Sequence, residues 1–219
     1  MTSSRAGHDA PIPGGETNEN PRGIALFALL AEDLRTHDDR WHDVGFWAVA
    51  LHRVGNARMD VRRKVLRAPL SALYKAGAWS MDHVLGIDLP YTVRLGRRVR
   101  LWHHGGVVLS ARSIGDDVHI RHNTTFGVAR KTETWARPII GDRVDVGVGA
   151  TILGAVTVGN DCVIGAGAVV VRDIPDGATA LGVPARVVAR PIDRPVPEHV
   201  EESPSASGFR FRAVRVGHS

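Results

Sequence analysis

Six aliphatic residues stand six apart without a slip: Ile140, Val146, Ile152, Val158, Ile164 and Val170. Gly141, Gly147, Gly159 and Gly165 each follow one of them, and a second file of small or apolar residues (Val144, Ala150, Val156, Cys162, Ala168) runs two positions ahead. An α-helix repeats about every 3.6 residues and a flat strand every 2, so neither produces a strict period of six. A chain that turns a corner every six residues does, and that is the signature of the hexapeptide parallel β-helix. Three hexads close one coil, the aliphatic file points into the prism, and small neighbours let coils stack. The pattern predicts a mainly β chain.

The same count starts earlier. Leu95, Leu101 and Val107 are six apart, one extra residue intervenes, and Ile114, Ile120 and Phe126 resume it. From Phe126 to Ile140 the interval is two residues longer than two hexads, and the mostly polar stretch 128–137 (VARKTETWAR) reads as an extruded loop. After Val170 the hexads decay through Ile174-Pro175 and Leu181-Gly182 to Val188. Ahead of the repeat, residues 24–35, 45–58 and about 61–85 carry helical spacing, with Phe46, Val49, Ala50 and Val54 on one face of the second and Pro69 predicting a break or kink in the third. The expected organisation is a disordered leader over 1–22, a small α-helical segment over 24–86, a β-helix over 87–190 and a mobile tail over 191–219.

Composition narrows the setting. The only cysteine, Cys162, allows no intrachain disulfide and agrees with a reducing cytoplasm. No run of 18 apolar residues and no signal-like N-terminus is present, so no membrane role is expected. The charge of +5 and pI near 10.1 suit a polyanionic small molecule such as coenzyme A as well as nucleic acid, and no nucleic-acid recognition motif accompanies them.

Three constellations carry chemistry. Trp102-His103-His104-Gly105-Gly106 places a histidine beside a glycine pair at an approachable corner, where an imidazole can take a proton from a hydroxyl. Asp88 lies about one coil earlier, where a carboxylate can hold the ring and stabilise the imidazolium. His103, His104, His119 and His122 form a second set; three histidines can bind zinc, but nothing in this spacing brings three of the four together, and surface or inter-coil hydrogen-bonding roles are expected for His119 and His122. In the third, Gly147, Gly149, Gly165 and Gly167 let a ligand lie against backbone amides, and Arg130, Lys131 and Arg186 are candidates for phosphate groups.

The ordered run Asp88-Leu-Pro, Leu95-Gly96, His103, Gly106, Ile114-Gly115, Thr125-Phe126-Gly127, Pro138-Ile-Ile-Gly141, Gly147-Val-Gly-Ala150, Ile152-Leu-Gly154, Ile164-Gly-Ala-Gly-Ala168 and Gly182-Val-Pro-Ala-Arg186 resembles the serine O-acetyltransferases of the hexapeptide acyltransferase superfamily. The resemblance spans about 86–190 and extends more loosely to Gly45-Phe46 and His52-Arg53. It implies a left-handed parallel β-helix, homotrimers with shared active sites, and direct attack of a hydroxyl on acetyl-CoA without an acyl-enzyme or metal. By the same resemblance His103 is the general base and Asp88 its partner. Gly127, Gly149, Ala150, Gly167, Ala168 and Arg186 line the acetyl-CoA site, and Trp102, His104 and Arg137 face the acceptor. The implied role is serine acetylation on the way to cysteine.

Two departures bear on the acceptor. Trp102 stands where the family has Asp, and Trp135-Ala136-Arg137-Pro138 stands where it has Asp-Arg-His-Pro. An indole donates one hydrogen bond and accepts none, so a zwitterion loses partners. This predicts a high Michaelis constant for serine and preference for a larger hydroxyl compound, a sugar, polysaccharide or amino-sugar. A zinc-dependent, carbonic anhydrase-like β-helix is the alternative of another class.

Overall fold

The computed structural model describes residues 15–188. The first 14 residues of the expected leader, positions 189–190 and the expected tail 191–219 lie outside them. The packed chain begins ahead of residue 24: the Asn18 side chain donates to Asp60 at 2.7 Å, the Glu19 amide to Asn56 Oδ1 at 3.0 Å, and the Asn20 side chain to the Arg53 carbonyl at 2.9 Å. That corrects the expectation of a leader disordered to residue 22.

Three helices follow, α1 (Leu26–Thr36), α2 (Val44–Ala57) and α3 (Lys64–His83), with a 3-10 turn over Arg58–Asp60 between the last two. Asp43 caps α2 by accepting from the Gly45 amide at 2.7 Å. Of the break or kink expected at Pro69, the break is absent, since α3 runs through it. The proline falls in the second turn of α3, where its missing N–H forfeits one bond and the helix continues.

Residues 87–188 wind as a parallel β-solenoid of three sheets. The first holds β1 (Ile87–Asp88), β4 (Val107–Leu109), β7 (Thr125–Gly127), β10 (Thr151–Leu153) and β13 (Val169–Val170). The second holds β2 (Arg94–Leu95), β5 (Ser113–Ile114), β8 (Ile139–Ile140) and β11 (Thr157–Val158). The third holds β3 (Arg100–Trp102), β6 (His119–Arg121), β9 (Asp145–Val146), β12 (Val163–Ile164) and β14 (Thr179–Leu181), and β15 (Arg186–Val188) closes it antiparallel to β14. Thr151 pairs with Val169 and Asp145 with Val163, so a coil is three hexads, as the spacing predicts. Every member of the aliphatic file from Leu95 to Val170 is 2% exposed or less, and the second file from Val144 to Ala168 is buried.

Corners are tied vertically. The amide of Arg97 donates to Asp116, that of Asp116 to Asp142, that of Asp142 to Asn160 and that of Asn160 to Asp176, each at 2.7 to 2.8 Å. The glycine before each such corner is needed for close approach: a Cβ on Gly115 would lie 2.6 Å from the Gly141 backbone.

Register explains the slip in the count. Leu109, and not Val107, pairs with Phe126, while Trp102 pairs with Arg121 and the Asn123 amide bonds to the Gly105 carbonyl at 3.1 Å. His103 and His104 therefore have no counterpart in the coil above. They are a two-residue insertion at one corner. The hexad from Leu109 to Ile114 is one residue short, and the two changes together leave the single extra residue visible in the spacing.

Among the described residues no strand lies beneath the first coil, and a bare edge leaves backbone groups unpaired. Helix α2 covers it. Asn56 donates to the Tyr91 carbonyl at 2.8 Å, His52 Nε2 to Val93 at 2.9 Å, and Arg53 to Leu95 at 2.9 Å and Gly96 at 2.6 Å. Arg53 also pairs with Asp33 of α1 at 3.0 Å, both side chains being fully buried. The helical segment is thus the cap of the solenoid.

Burial, with Arg53 adding to it, lowers the pKa of His52 to about 3. Folding must keep this ring neutral, whereas the unfolded chain protonates it below its ordinary value, so native stability falls as pH drops from about 6.5 towards 3 by about 1.4 kcal/mol per unit. Burial lowers His37 as well and acts in the same direction. Urea unfolding at pH 7 and pH 5 is expected to show a loss of about 2 kcal/mol assignable to His52, and this share should vanish in His52→Gln. An unchanged pH dependence in that variant would remove the assignment.

Candidate active site

The corner between the third and first sheets repeats up the solenoid as Gly105-Gly106, His122-Asn123, Val148-Gly149 and Ala166-Gly167. Backbone bonds join them: Asn123 N to Gly105 O at 3.1 Å, Gly149 N to His122 O at 3.1 Å, and Gly167 N to Val148 O at 2.8 Å. Gly106, Asn123, Gly149 and Gly167 all have positive φ, which glycine and asparagine tolerate. The inserted histidines sit at the foot of this column. His103 has a φ of 63°, unusual for its type, and its side chain is exposed. A repeat that breaks its own count to push an imidazole into the open makes this corner the candidate site.

The coil above supports both residues of the Trp102-His103 step. The Trp102 indole N–H donates to His119 Nδ1 at 3.2 Å, with Arg100 stacked 3.6 Å from its ring centre. Arg100 is in turn paired with Asp38 from the turn after α1. The His103 ring meets the His122 ring edge to face, centroids 5.5 Å apart. His104 is exposed beside them.

Asp88 lies on the outer face of the first sheet, opposite Val108, one coil below the strand that leaves the histidine corner. Gly86 tucks under Gly105 and Gly106, and the Val107 amide bonds to its carbonyl at 2.9 Å. Burial, reinforced by the Asp82 carboxylate, pushes the Asp88 pKa up, and Arg137 pulls against it. No hydrogen bond joins Asp88 to His103 among the described residues, and the charges that act on Asp88 are those of Asp82 and Arg137.

The predicted cofactor residues divide by position. Gly149-Ala150 and Gly167-Ala168 continue the His103 column, reaching about 14 Å up it at roughly 4.8 Å per strand. Arg186 is exposed on β15 at the top, next to Ala185, whose amide bonds to Val169 at 2.7 Å. Gly127 lies at the other edge of the first sheet, opposite Leu153, where the 128–137 loop departs. That loop is extruded as expected. Arg112 holds it through the Trp135 carbonyl at 3.4 Å, Ala136 is buried, and Arg137 keeps a buried Nε without a hydrogen-bond partner. Arg130 pairs with Glu133 on the exposed side.

Among the described residues no three His, Cys, Asp or Glu side chains converge where they would hold a metal ion, because His119 is engaged by Trp102 while His122 meets His103. Cys162 is fully buried, its thiol pKa raised by burial and its Sγ–H directed to the Pro175 carbonyl at 3.1 Å, so it is no nucleophile. No helix among the described residues is long and apolar enough to cross a membrane.

No family model matches the chain. It is similar to a serine acetyltransferase of Helicobacter pylori, 36% identical over 147 residues that cover 67% of this chain and 82% of that protein. It is similar to a serine acetyltransferase of Salmonella typhimurium, 35% identical over 181 residues covering 78% of this chain and 64% of the other. Among solved structures it resembles soybean serine acetyltransferase complexed with serine, with a TM-score of 0.62 and 33% identity over 74% of this chain and 69% of that one.

Proposed function

The chain belongs to the serine acetyltransferase family, and on that premise we propose that His103 is the base that takes the proton of serine's hydroxyl while acetyl-CoA lies along the glycine column. It is an acetyl-CoA-dependent acyltransferase, and serine is its acceptor. The observation that carries the site assignment is the two-residue insertion that lifts His103 out of the corner at the foot of that column.

Serine's oxygen attacks the thioester carbonyl carbon as its proton passes to the imidazole. The tetrahedral adduct then collapses, the carbon–sulfur bond breaks, and the imidazolium returns the proton to the departing CoA sulfur. The products are O-acetylserine and free CoA. Asp88, half-buried one coil away, is the charge that favours the imidazolium. The buried Cys162 is consistent with transfer in one step, without an acyl-enzyme. Gly127, Gly149, Ala150, Gly167, Ala168 and Arg186 are the proposed acetyl-CoA residues, and Trp102, His104 and Arg137 the proposed acceptor residues.

Trp102 does not stand free to select a larger acceptor. Arg100 covers its ring and its N–H is given to His119, so the indole is tied into the wall of the corner. Arg137, with an unused buried Nε, suits a carboxylate. A homotrimer in the cytoplasm, with each site between two prisms, completes the reading.

The test is thiol release from acetyl-CoA with serine, homoserine and a set of sugars, on a sample sized by light scattering. Serine is expected to give the highest kcat/KM, from particles of three chains. A sugar turned over better than serine overturns the acceptor, and an active monomer overturns the shared site.

A further inference from the structure

His103 projects from an inserted corner on a left-handed backbone, where a side chain has few fixed neighbours. Its one ring contact among the described residues is His122, and Asp88 forms no hydrogen bond with it. His122 occupies the position in the next coil that matches Gly105, directly above the insertion. Its backbone is held in the column, its carbonyl accepting from the Gly149 amide at 3.1 Å, and its ring Nδ1 is buried without a hydrogen-bond partner.

We propose that His122 is a positioning residue for the base: its ring, standing edge to face against His103, sets the direction in which the His103 imidazole meets the acceptor hydroxyl. This rests on the reading of His103 as the base. The function needs the ring's shape and not its nitrogens. The edge of one aromatic ring carries partial positive charge and the face of another partial negative charge, which favours the perpendicular arrangement seen here. The His122 backbone carbonyl accepts from the Gly149 amide, so the residue whose ring meets His103 is anchored by its main chain in the column proposed to hold acetyl-CoA. A misdirected base loses rate without losing substrate, since general-base transfer requires a near-attack geometry.

The test compares His122→Ala with His122→Phe in the full-length protein. His122→Ala is expected to lower kcat about ten- to a hundredfold while the KM values for serine and acetyl-CoA stay within about twofold. His122→Phe, which keeps a ring at the same place, should recover most of that rate, and both variants should melt close to the wild type. Unchanged kcat in His122→Ala, or a phenylalanine variant as slow as the alanine one, overturns the proposal. If the wild type itself releases no thiol with serine, the functional reading fails, and crystal structures of the two variants still decide the positioning. His103 should hold its ring direction in His122→Phe and lose it in His122→Ala; the same direction in both overturns the proposal.

Discussion

His103→Ala is expected to lower kcat for acetyl transfer by about two to four powers of ten, the usual worth of a positioned general base. At the upper end this is about 5 kcal/mol of transition-state stabilisation, far more than one surface imidazole contributes to folding. The substitution removes the group that holds serine's proton while the carbon–oxygen bond forms, so KM for acetyl-CoA should hardly move. His104→Ala is the control. It lies in the same insertion and is equally open, but the ring contact from the coil above goes to His103. Its loss should stay within about tenfold. Initial rates of thiol release at saturating acetyl-CoA read both variants, and equal losses at the two positions would undo the assignment.

The two histidines also show how far the spacing of residues reaches. A period of six identifies the coil because each corner repeats the same geometry, so every aliphatic residue of the file from Leu95 to Val170 lands inside the prism. The loop at 128–137 is legible for the same reason: it interrupts the period between β7 and β8, each of which stays in register with the coil below, Leu109 pairing with Phe126 and Ser113 with Ile139. The insertion at His103-His104 is only half legible. The shortened hexad after Leu109 cancels part of it, so the count shows one extra residue, after Val107, where the structure has two inserted before it. Pairings between coils, which a one-dimensional count lacks, resolve the difference. The partners of the site are less legible still. Nothing in a His-x-x-His spacing distinguishes a metal pair from two rings that each support a different residue of the coil beneath, Trp102 for His119 and His103 for His122. Likewise the amphipathic spacing of α2 announces a helix but not that its polar residues His52, Arg53 and Asn56 close the open end of the solenoid.

Arg53→Ala is expected to destabilise the folded chain by about 3–5 kcal/mol, the cost of breaking a buried ion pair by removing one partner. Arg53 is fully buried and uses all three guanidinium nitrogens: two contacts to Asp33 at 3.0 and 3.3 Å, one to the Leu95 carbonyl at 2.9 Å and one to Gly96 at 2.6 Å. Its loss leaves the Asp33 carboxylate buried without a counter-charge and two carbonyls of the first coil without donors. Lysine cannot span the four acceptors from one planar fork, so Arg53→Lys should recover only part of the loss. The double variant Arg53→Ala/Asp33→Ala separates the two contributions. Removing the stranded charge should return about half the loss, and what remains belongs to the uncapped edge. Urea unfolding followed at both the helical and strand circular dichroism signals reads the effect, since a cap that fails should expose the first coil before the rest of the prism. A loss below about 1 kcal/mol in Arg53→Ala would mean that water replaces the guanidinium at no cost and that helix α2 is not the cap of the β-helix.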